Sequence, residues 1–152
     1  MDTSSGRRSV SMRLFVVCGT WLVVLGLYFM FVRPALLPED LRYIGTSLGE
    51  IHARVPGLER WLHRVFMVMG GFIAAAGILL IVMAKADARR DGRATLIILT
   101  IVGILSVGLM SATNFQLDSD FKWFLLVPVV VWILGLVRIY RARSTAGEID
   151  TV

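Results

Sequence analysis

The side chains in this sequence that are best suited to ligation or catalysis are those of two histidines, His52 and His63. Two imidazoles that converge from neighbouring helices could ligate a haem or a transition metal. No third ligand stands at a regular spacing from them, and Glu59, four residues before His63, predicts an ordinary pair on a helix surface. We therefore treat His52 and His63 as the candidates for cofactor binding, while expecting that the chain holds no cofactor and no metal.

The other reactive side chains favour structural roles. Cys18 is the single cysteine, so it forms neither an internal disulfide nor a zinc cluster, and its apolar surroundings predict a buried small residue. Asp118 and Asp120 precede an apolar run and predict carboxylates at a helix start rather than a calcium site. A nucleophile, a base and oxyanion donors cannot be assembled from these residues, so we expect that the chain is not an enzyme.

Long apolar stretches dominate the chain and must position any site. Hydrophobic residues make up 57% of the 152 residues, more than a soluble domain carries. Runs of about 20 apolar residues become helices in lipid, and the alternation typical of a transmembrane barrel is missing. The sequence predicts an all-α polytopic membrane four-helix bundle, one membrane domain over residues 1–152 with disordered tails at 1–11 and 144–152. The spans are expected at residues 14–32, 63–84, 94–115 and 121–140.

Lysines and arginines in the connections predict the orientation of the spans. With the amino terminus inside, ten of the 16 basic residues fall on the inner side. The net charge of +5 thus reflects topology rather than nucleic-acid binding, and the expected partner is the lipid bilayer. We expect a multi-pass protein of the plasma (inner) membrane with both termini cytoplasmic. The inner basic residues are Arg7, Arg8, Arg13, Lys85, Arg89, Arg90, Arg93, Arg138, Arg141 and Arg143.

The stretch between the first two spans predicts an interfacial amphipathic helix over residues 38–55. Pro38 suits the first helical position, and Pro56-Gly57 ends the element. Such a helix could lie along the headgroup plane or fold over the bundle as a lid, above a candidate outer pocket near Tyr43 and Trp61. Its apolar stripe consists of Leu41, Ile44, Leu48, Ile51 and Val55.

Small residues predict where the spans touch, because lipid supplies no hydrophobic drive between helices. The second span carries two such faces, which predicts that it is the central, tightly packed one. Pro128 predicts a kink in the fourth span. The predicted packing residues are Gly19, Gly26, Gly70, Gly71, Ala74, Gly77, Gly108 and Ala112, and Ala75 extends the face of Gly71.

The first half of the chain resembles a known family. The pattern comprises Arg33-Pro34, residues 36–43, Gly45, Pro56-Gly57-Leu58, Trp61-Leu62, Val65-Phe66 and Met69-Gly70-Gly71. It is similar to that of a family of short bacterial proteins with four transmembrane helices, which form a domain of unknown function. The resemblance implies a four-span topology and a bacterial setting, and it implies no catalytic residues. In size and span count the chain is also remotely similar to the DoxX-like membrane proteins, some of which accompany quinone-linked oxidoreductases.

Three functions fit these observations. The middle of every predicted span lacks ionisable residues, which argues against ion-coupled transport. The leading hypothesis is a non-catalytic accessory or scaffolding component of a membrane complex, whose partner is another membrane protein or a second copy of the chain. The alternatives are a binder or carrier of an apolar small molecule, such as a quinone or a lipid, and a subunit of a membrane oxidoreductase that uses the histidines.

Overall fold

Four helical segments cross the molecule. The computed structural model describes residues 3–86 and 92–149, and within these ranges the chain is helical with no β-strand. The predicted all-α four-helix bundle is confirmed. The segments long and apolar enough to cross a membrane, spans 1 to 4, are Ser11–Phe31, Leu58–Lys85, Ala94–Gln116 and Lys122–Arg141. The helices are α1 (Thr3–Phe31), α2 (Pro38–Ile44), α3 (Leu48–Arg54), α4 (Leu58–Ala86), α5 (Gly92–Gly103), α6 (Leu109–Gln116) and α7 (Lys122–Ile149).

Spans 1 and 2 pack antiparallel against each other at glycines. Gly19 lies against Gly77, and Gly26 lies against Gly70 and Ala74. A Cβ atom added at Gly26 would stand only 2.5 Å from the carbonyl oxygen of Gly70. Van der Waals contact between closely spaced backbones is what holds helices together in lipid. These crossings therefore require glycine, because a side chain would push the two backbones apart.

Spans 1, 3 and 4 meet at an aromatic group that we call the Trp132 cluster (Phe15, Gly103, Trp132 and Gly135). Phe15 and Trp132 pack edge to face, with ring centroids 5.4 Å apart, a geometry that the ring quadrupoles favour. Trp132 lies on the backbone of Gly103, and Phe15 lies on that of Gly135. The indole N–H of Trp132 donates to the carbonyl oxygen of Leu99 at 3.1 Å, so this buried donor is satisfied.

α1 and α7 are the two inner spans of the bundle, and the second span is not one of them. α1 packs along α4 and also along α7, while the third span packs mainly on α7. The expectation that the second span is central is wrong, because its small residues Gly70 and Gly77 both serve one neighbour, α1. The second small face of α4 makes no such contact, since Gly71 meets open space and Ala75 is exposed.

The fourth span contacts Cys18 of α1 and contains a proline, Pro128. Cys18 is buried, as predicted, and its thiol lies 3.7 Å from the carbonyl oxygen of Pro128. Pro128 lies inside α7, and the helix continues on both sides of it. The predicted kink at this residue stays a prediction.

The third span contains a π-helical turn, Ile104–Gly108, between α5 and α6. Such turns insert an extra residue into a helix and change the direction of the side chains that follow. Gly108 was a predicted packing residue, but a Cβ atom added to it would meet only the carbonyl of Gly103 in the same span. Ala112, its predicted companion, is exposed.

Three polar side chains of the third span bond within the span. Each of them donates to a carbonyl one turn earlier, which satisfies the polar group without a second helix. The bonds run from Thr100 to Leu96 at 2.8 Å, from Ser106 to Val102 at 2.6 Å and from Asn114 to Met110 at 2.9 Å. These contacts therefore do not join the third span to its neighbours.

The connection between spans 1 and 2 forms two short helices, where the sequence predicts one over residues 38–55. α2 begins at Pro38, as expected. Gly45 then ends it in a left-handed conformation, with φ at 74°, and its N–H donates to the carbonyl of Leu41. Glycine adopts this conformation without steric strain, which makes it the common residue at such helix ends. Ser47 starts α3 by capping it.

Helix extends into both of the tails that the sequence predicts to be disordered, residues 1–11 and 144–152. α1 begins at Thr3, and α7 continues to Ile149. A helix already nucleated in a span extends readily, because each further residue adds a hydrogen bond without a new nucleation step. Residues 1–2 and 150–152 lie outside the described residues, as do residues 87–91 of the connection between spans 2 and 3.

We expect Gly26→Ala to destabilise the protein by roughly 1–3 kcal/mol, the usual effect of overpacking, because the new methyl group would meet the Gly70 carbonyl. Gly71→Ala is the matched control and should leave stability unchanged, since its methyl group enters open space. Thermal unfolding in a mild detergent, followed by circular dichroism, measures both. Equal unfolding temperatures for the two variants would contradict the proposed importance of this crossing.

Candidate functional site

Polar side chains converge at one end of the bundle. We call it the outer end, and it carries the connection between spans 1 and 2 and the turn between spans 3 and 4. Contacts within and between these two segments fasten α2 to the ends of the spans. The residues of this outer clasp are Arg33, Glu39, Asp40, Arg42, Ser119 and Asp120.

Glu39 forms the buried part of the outer clasp. Although it bears a carboxyl group, it is only 4% exposed. The hydroxyl of Ser119, also buried, donates to Glu39 Oε1 at 3.3 Å, and the N–H of Phe121 donates to Ser119 Oγ at 3.2 Å. A buried polar group needs such partners because it has lost its hydration. This bond joins residues 80 positions apart and so holds the two outer segments together.

Arg42 and Asp120 make the exposed part of the clasp. Their Nη2 and Oδ1 atoms lie 3.0 Å apart, and both side chains are open to solvent. Water screens such a pair, so it contributes between zero and about 1 kcal/mol. The pair lines up α2 with the start of α7, and the stronger constraint comes from Glu39 and Ser119.

Arg33 ties α2 to the second span. Its Nη2 lies 3.0 Å from Asp40 Oδ2, and its guanidinium stands 3.9 Å from the ring centroid of Phe66 on α4. The same Asp40 oxygen accepts the N–H of Leu37 at 2.9 Å, which anchors the first turn of α2. An arginine that is ion-paired and stacked on an aromatic ring is held in one position. The clasp therefore reaches spans 1, 2 and 4.

Asp118 stands beside the clasp in the turn before α7. Its φ of 49° is left-handed, a conformation that aspartate tolerates better than most residues. The side chain of Lys122, one helical turn later, donates a hydrogen bond to its carboxylate. This bond and the charge of Lys122 lower the pKa of Asp118, which is fully exposed.

The two histidines have different surroundings. His52 Nε2 lies 2.7 Å from Glu59 Oε2, so Glu59 pairs with His52 rather than with His63 as the sequence predicts. His63 is exposed on α4. Within residues 3–86 and 92–149, no three His, Cys, Asp or Glu side chains form a group that could hold a metal ion. Neither histidine therefore belongs to such a group of three.

Tyr43 and Trp61, the predicted outer pocket, are both exposed. The structure instead shows a shallow apolar groove of about 220 Å³ on the fourth span. Sequence reasoning missed it, although its residues recur at three- and four-residue steps on one helix. The groove is lined by Trp123, Leu126, Val127, Val130 and Val131.

Sequence reasoning also missed Glu39, Ser119 and Trp132 as structural centres. Nothing in the local pattern marks Glu39 as buried, because its position after Pro38 is typical of an exposed helix-start carboxylate. Gly103 and Gly135 were a usable signal for Trp132, since glycines in a span indicate where a large side chain can approach the backbone. The clasp residues contact one another across the two connections, so their role is to hold these connections together.

Comparison of the chain with models of known protein families, with curated proteins and with solved structures returned no match. The family resemblance in the first half of the sequence therefore stays an expectation. Function has to be argued from the residues and their geometry, because a four-helix membrane fold carries no activity of its own.

We expect Ser119→Ala to loosen α2, with a loss of about 1–3 kcal/mol in local stability, because the buried Glu39 carboxylate loses its donor. The matched control is Asp120→Asn, which weakens only the exposed contact to Arg42 and should change local stability by less than about 1 kcal/mol. Hydrogen exchange of the α2 amides measures both effects. Equal exchange rates in the two variants would show that Glu39 and Ser119 do not hold the clasp.

The pair of Asp118 and Lys122 predicts a stability change in acid only. Because folding lowers the pKa of Asp118, the stabilising effect is complete above the ordinary carboxyl pKa, near 3.9, and is lost as the pH falls through the lowered value. Lys122→Met should raise the pKa of Asp118, which NMR titration of its carboxyl carbon measures. An unchanged titration curve in the variant would contradict this pairing.

Proposed function

We propose that this chain is a non-catalytic accessory or scaffolding component of a membrane complex. The observation that supports this proposal is the second small-residue face of α4, that of Gly71 and Ala75, which takes no part in the contact with α1. Among the described elements, α4 packs extensively against α1 alone. Its small residues Gly71 and Ala75 lie outside that contact.

Small residues on an otherwise lipid-facing surface are suited to contact with another helix. Larger side chains fill lipid-facing positions equally well, whereas glycine and alanine allow backbones to approach closely. Gly71 and Ala75 stand one turn apart on α4, with the exposed Phe72 and Val68 beside them. This surface offers close approach together with large apolar side chains, the combination that the α1–α4 contact uses inside the chain.

The geometry of the outer clasp supports a non-catalytic role. Glu39 and Ser119 form a carboxyl–hydroxyl contact, in which a base would stand beside a nucleophile, but both residues are buried. Ser119 Oγ is also occupied by the N–H of Phe121. The pair therefore has no open side toward a substrate, and its function is to fasten two segments.

The charge distribution supports a location in the plasma (inner) membrane of a bacterium with both termini cytoplasmic. The antiparallel contact of Gly19 with Gly77 and of Gly26 with Gly70 places the start of α1 and the end of α4 at the same end of the bundle. In the sequence, ten of the 16 basic residues stand at the start of span 1, in or beside the connection between spans 2 and 3, or at the end of span 4. An excess of lysine and arginine is typical of cytoplasmic connections.

The scaffold proposal predicts that Ala75→Leu weakens association with a partner chain at least about tenfold, or about 1.4 kcal/mol, because the leucine blocks close helix approach. Ala112→Leu is the matched control, since Ala112 is an exposed alanine on another span. Co-purification in mild detergent, with masses from light scattering, measures the association. A chain that runs alone as a monomer, with and without either substitution, would count against the proposal.

The groove on the fourth span favours a second candidate function, the binding or carrying of an apolar small molecule such as a quinone or a lipid. Its walls are apolar over most of their surface, and its volume of about 220 Å³ would hold part of a chain-like ligand. Val127→Trp fills the groove and should abolish co-purification of such a molecule in native mass spectrometry. Wild-type protein that carries no small molecule would weaken this candidate.

A further inference from the structure

We infer that the outward surface of α2 and α3 lies in the headgroup layer of the bilayer, with lipid as its partner. The exposed apolar side chains of these two helices form this surface, which we call the α2–α3 apolar surface. Its residues are Tyr43, Ile44, Leu48 and Val55, with exposed fractions of 64%, 56%, 40% and 51%. This contact is independent of the scaffold proposal, because it requires only that the four spans cross a membrane.

The burial pattern of α2 is the reverse of that expected in water. A water-exposed helix buries its apolar side chains and exposes its carboxylates. In α2, Glu39 is buried against Ser119 and Asp40 is paired with Arg33, while Tyr43 is open. A helix in contact with lipid gains from this arrangement, because its carboxylates find donors in the protein and its apolar side chains enter the acyl boundary.

The clasp sets the level of α2 relative to the spans. Arg33, two residues after the end of α1, pairs with Asp40 at one end of α2. Near the other end, Arg42 pairs with Asp120, two residues before the start of α7 at Lys122. α2 therefore lies level with the ends of spans 1 and 4, where these spans would leave the apolar layer.

The exposure of the apolar stripe argues against a lid. A lid turns its apolar stripe toward the bundle, whereas in α3 only Ile51 is buried and Leu48 and Val55, which flank it on the stripe, are exposed. Tyr43 and Trp61 are open as well, so the segment covers no pocket there. The cations Arg42 and Arg54 are exposed on the same two helices, where phosphate groups of lipids would meet them. Of the occupants that an apolar surface could have, lipid fits this position and this chemistry.

Fluorescence quenching in vesicles tests the inference on the full chain. In a Cys18→Ala background, Ile44→Cys and Leu48→Cys each place one label on the α2–α3 apolar surface. Ala53→Cys is the control, because Ala53 is exposed on α3 but outside that surface. The labelled proteins are reconstituted in phosphatidylcholine and phosphatidylglycerol vesicles and quenched by a headgroup-level spin-labelled lipid or by aqueous iodide. Unfolding temperatures equal to that of the background confirm that the variants fold.

We expect the lipid quencher to act about threefold more strongly at positions 44 and 48 than at 53, and iodide to show the opposite order, as for an interfacial helix. Equal iodide quenching at all three positions would place the surface in water and overturn the inference. A tenfold dilution with lipid separates lipid from a second copy of the chain. Lipid quenching that is unchanged by dilution supports the inference, whereas iodide access that appears only on dilution would assign the surface to a protein partner.

Discussion

The rest of the bundle depends on the close approach of α1 and α4 at glycine. Lipid is as apolar as the side chains of the spans, so burial against a neighbour gains little by itself. Gly19 and Gly26 bring the backbones of α1 and α4 into direct contact, and this contact leaves the other side of α1 for Phe15 to meet Trp132. The third span is then held by the fourth span, through the bond from Trp132 to Leu99.

The outer end is stabilised by a different kind of interaction. There, polar groups join segments that pack little against each other, and the buried pair of Glu39 and Ser119 carries more weight than the exposed ion pair beside it. The clasp also restricts α2 to one height at the end of the spans. A short helix with a glycine at its end would be marginal alone, and these tertiary contacts are what give it a defined place.

The sequence predicts the spans well because their length is set by the thickness of the bilayer. It also identifies Gly70 and Gly77 as packing residues, since their spacing puts them on one face of a helix. The spacing does not indicate which neighbouring span this glycine face contacts, and for this reason the sequence predicts the second span at the centre of the bundle. The burial of Glu39 is not predicted for the same reason, because its partner is 80 residues away and no local sequence pattern indicates such a contact.

Three polar side chains of the bundle use their donors within the protein. The hydroxyls of Thr100 and Ser106 donate to carbonyls of their own span, and the indole N–H of Trp132 donates to the carbonyl oxygen of Leu99. These donors are thus satisfied inside the protein, as the apolar layer requires of buried polar groups. The two proposed contacts both concern surfaces rather than the interior, because the open face of α4 and the apolar side of α2 and α3 are where the chain leaves close-packing or large apolar side chains without a neighbour among the described residues.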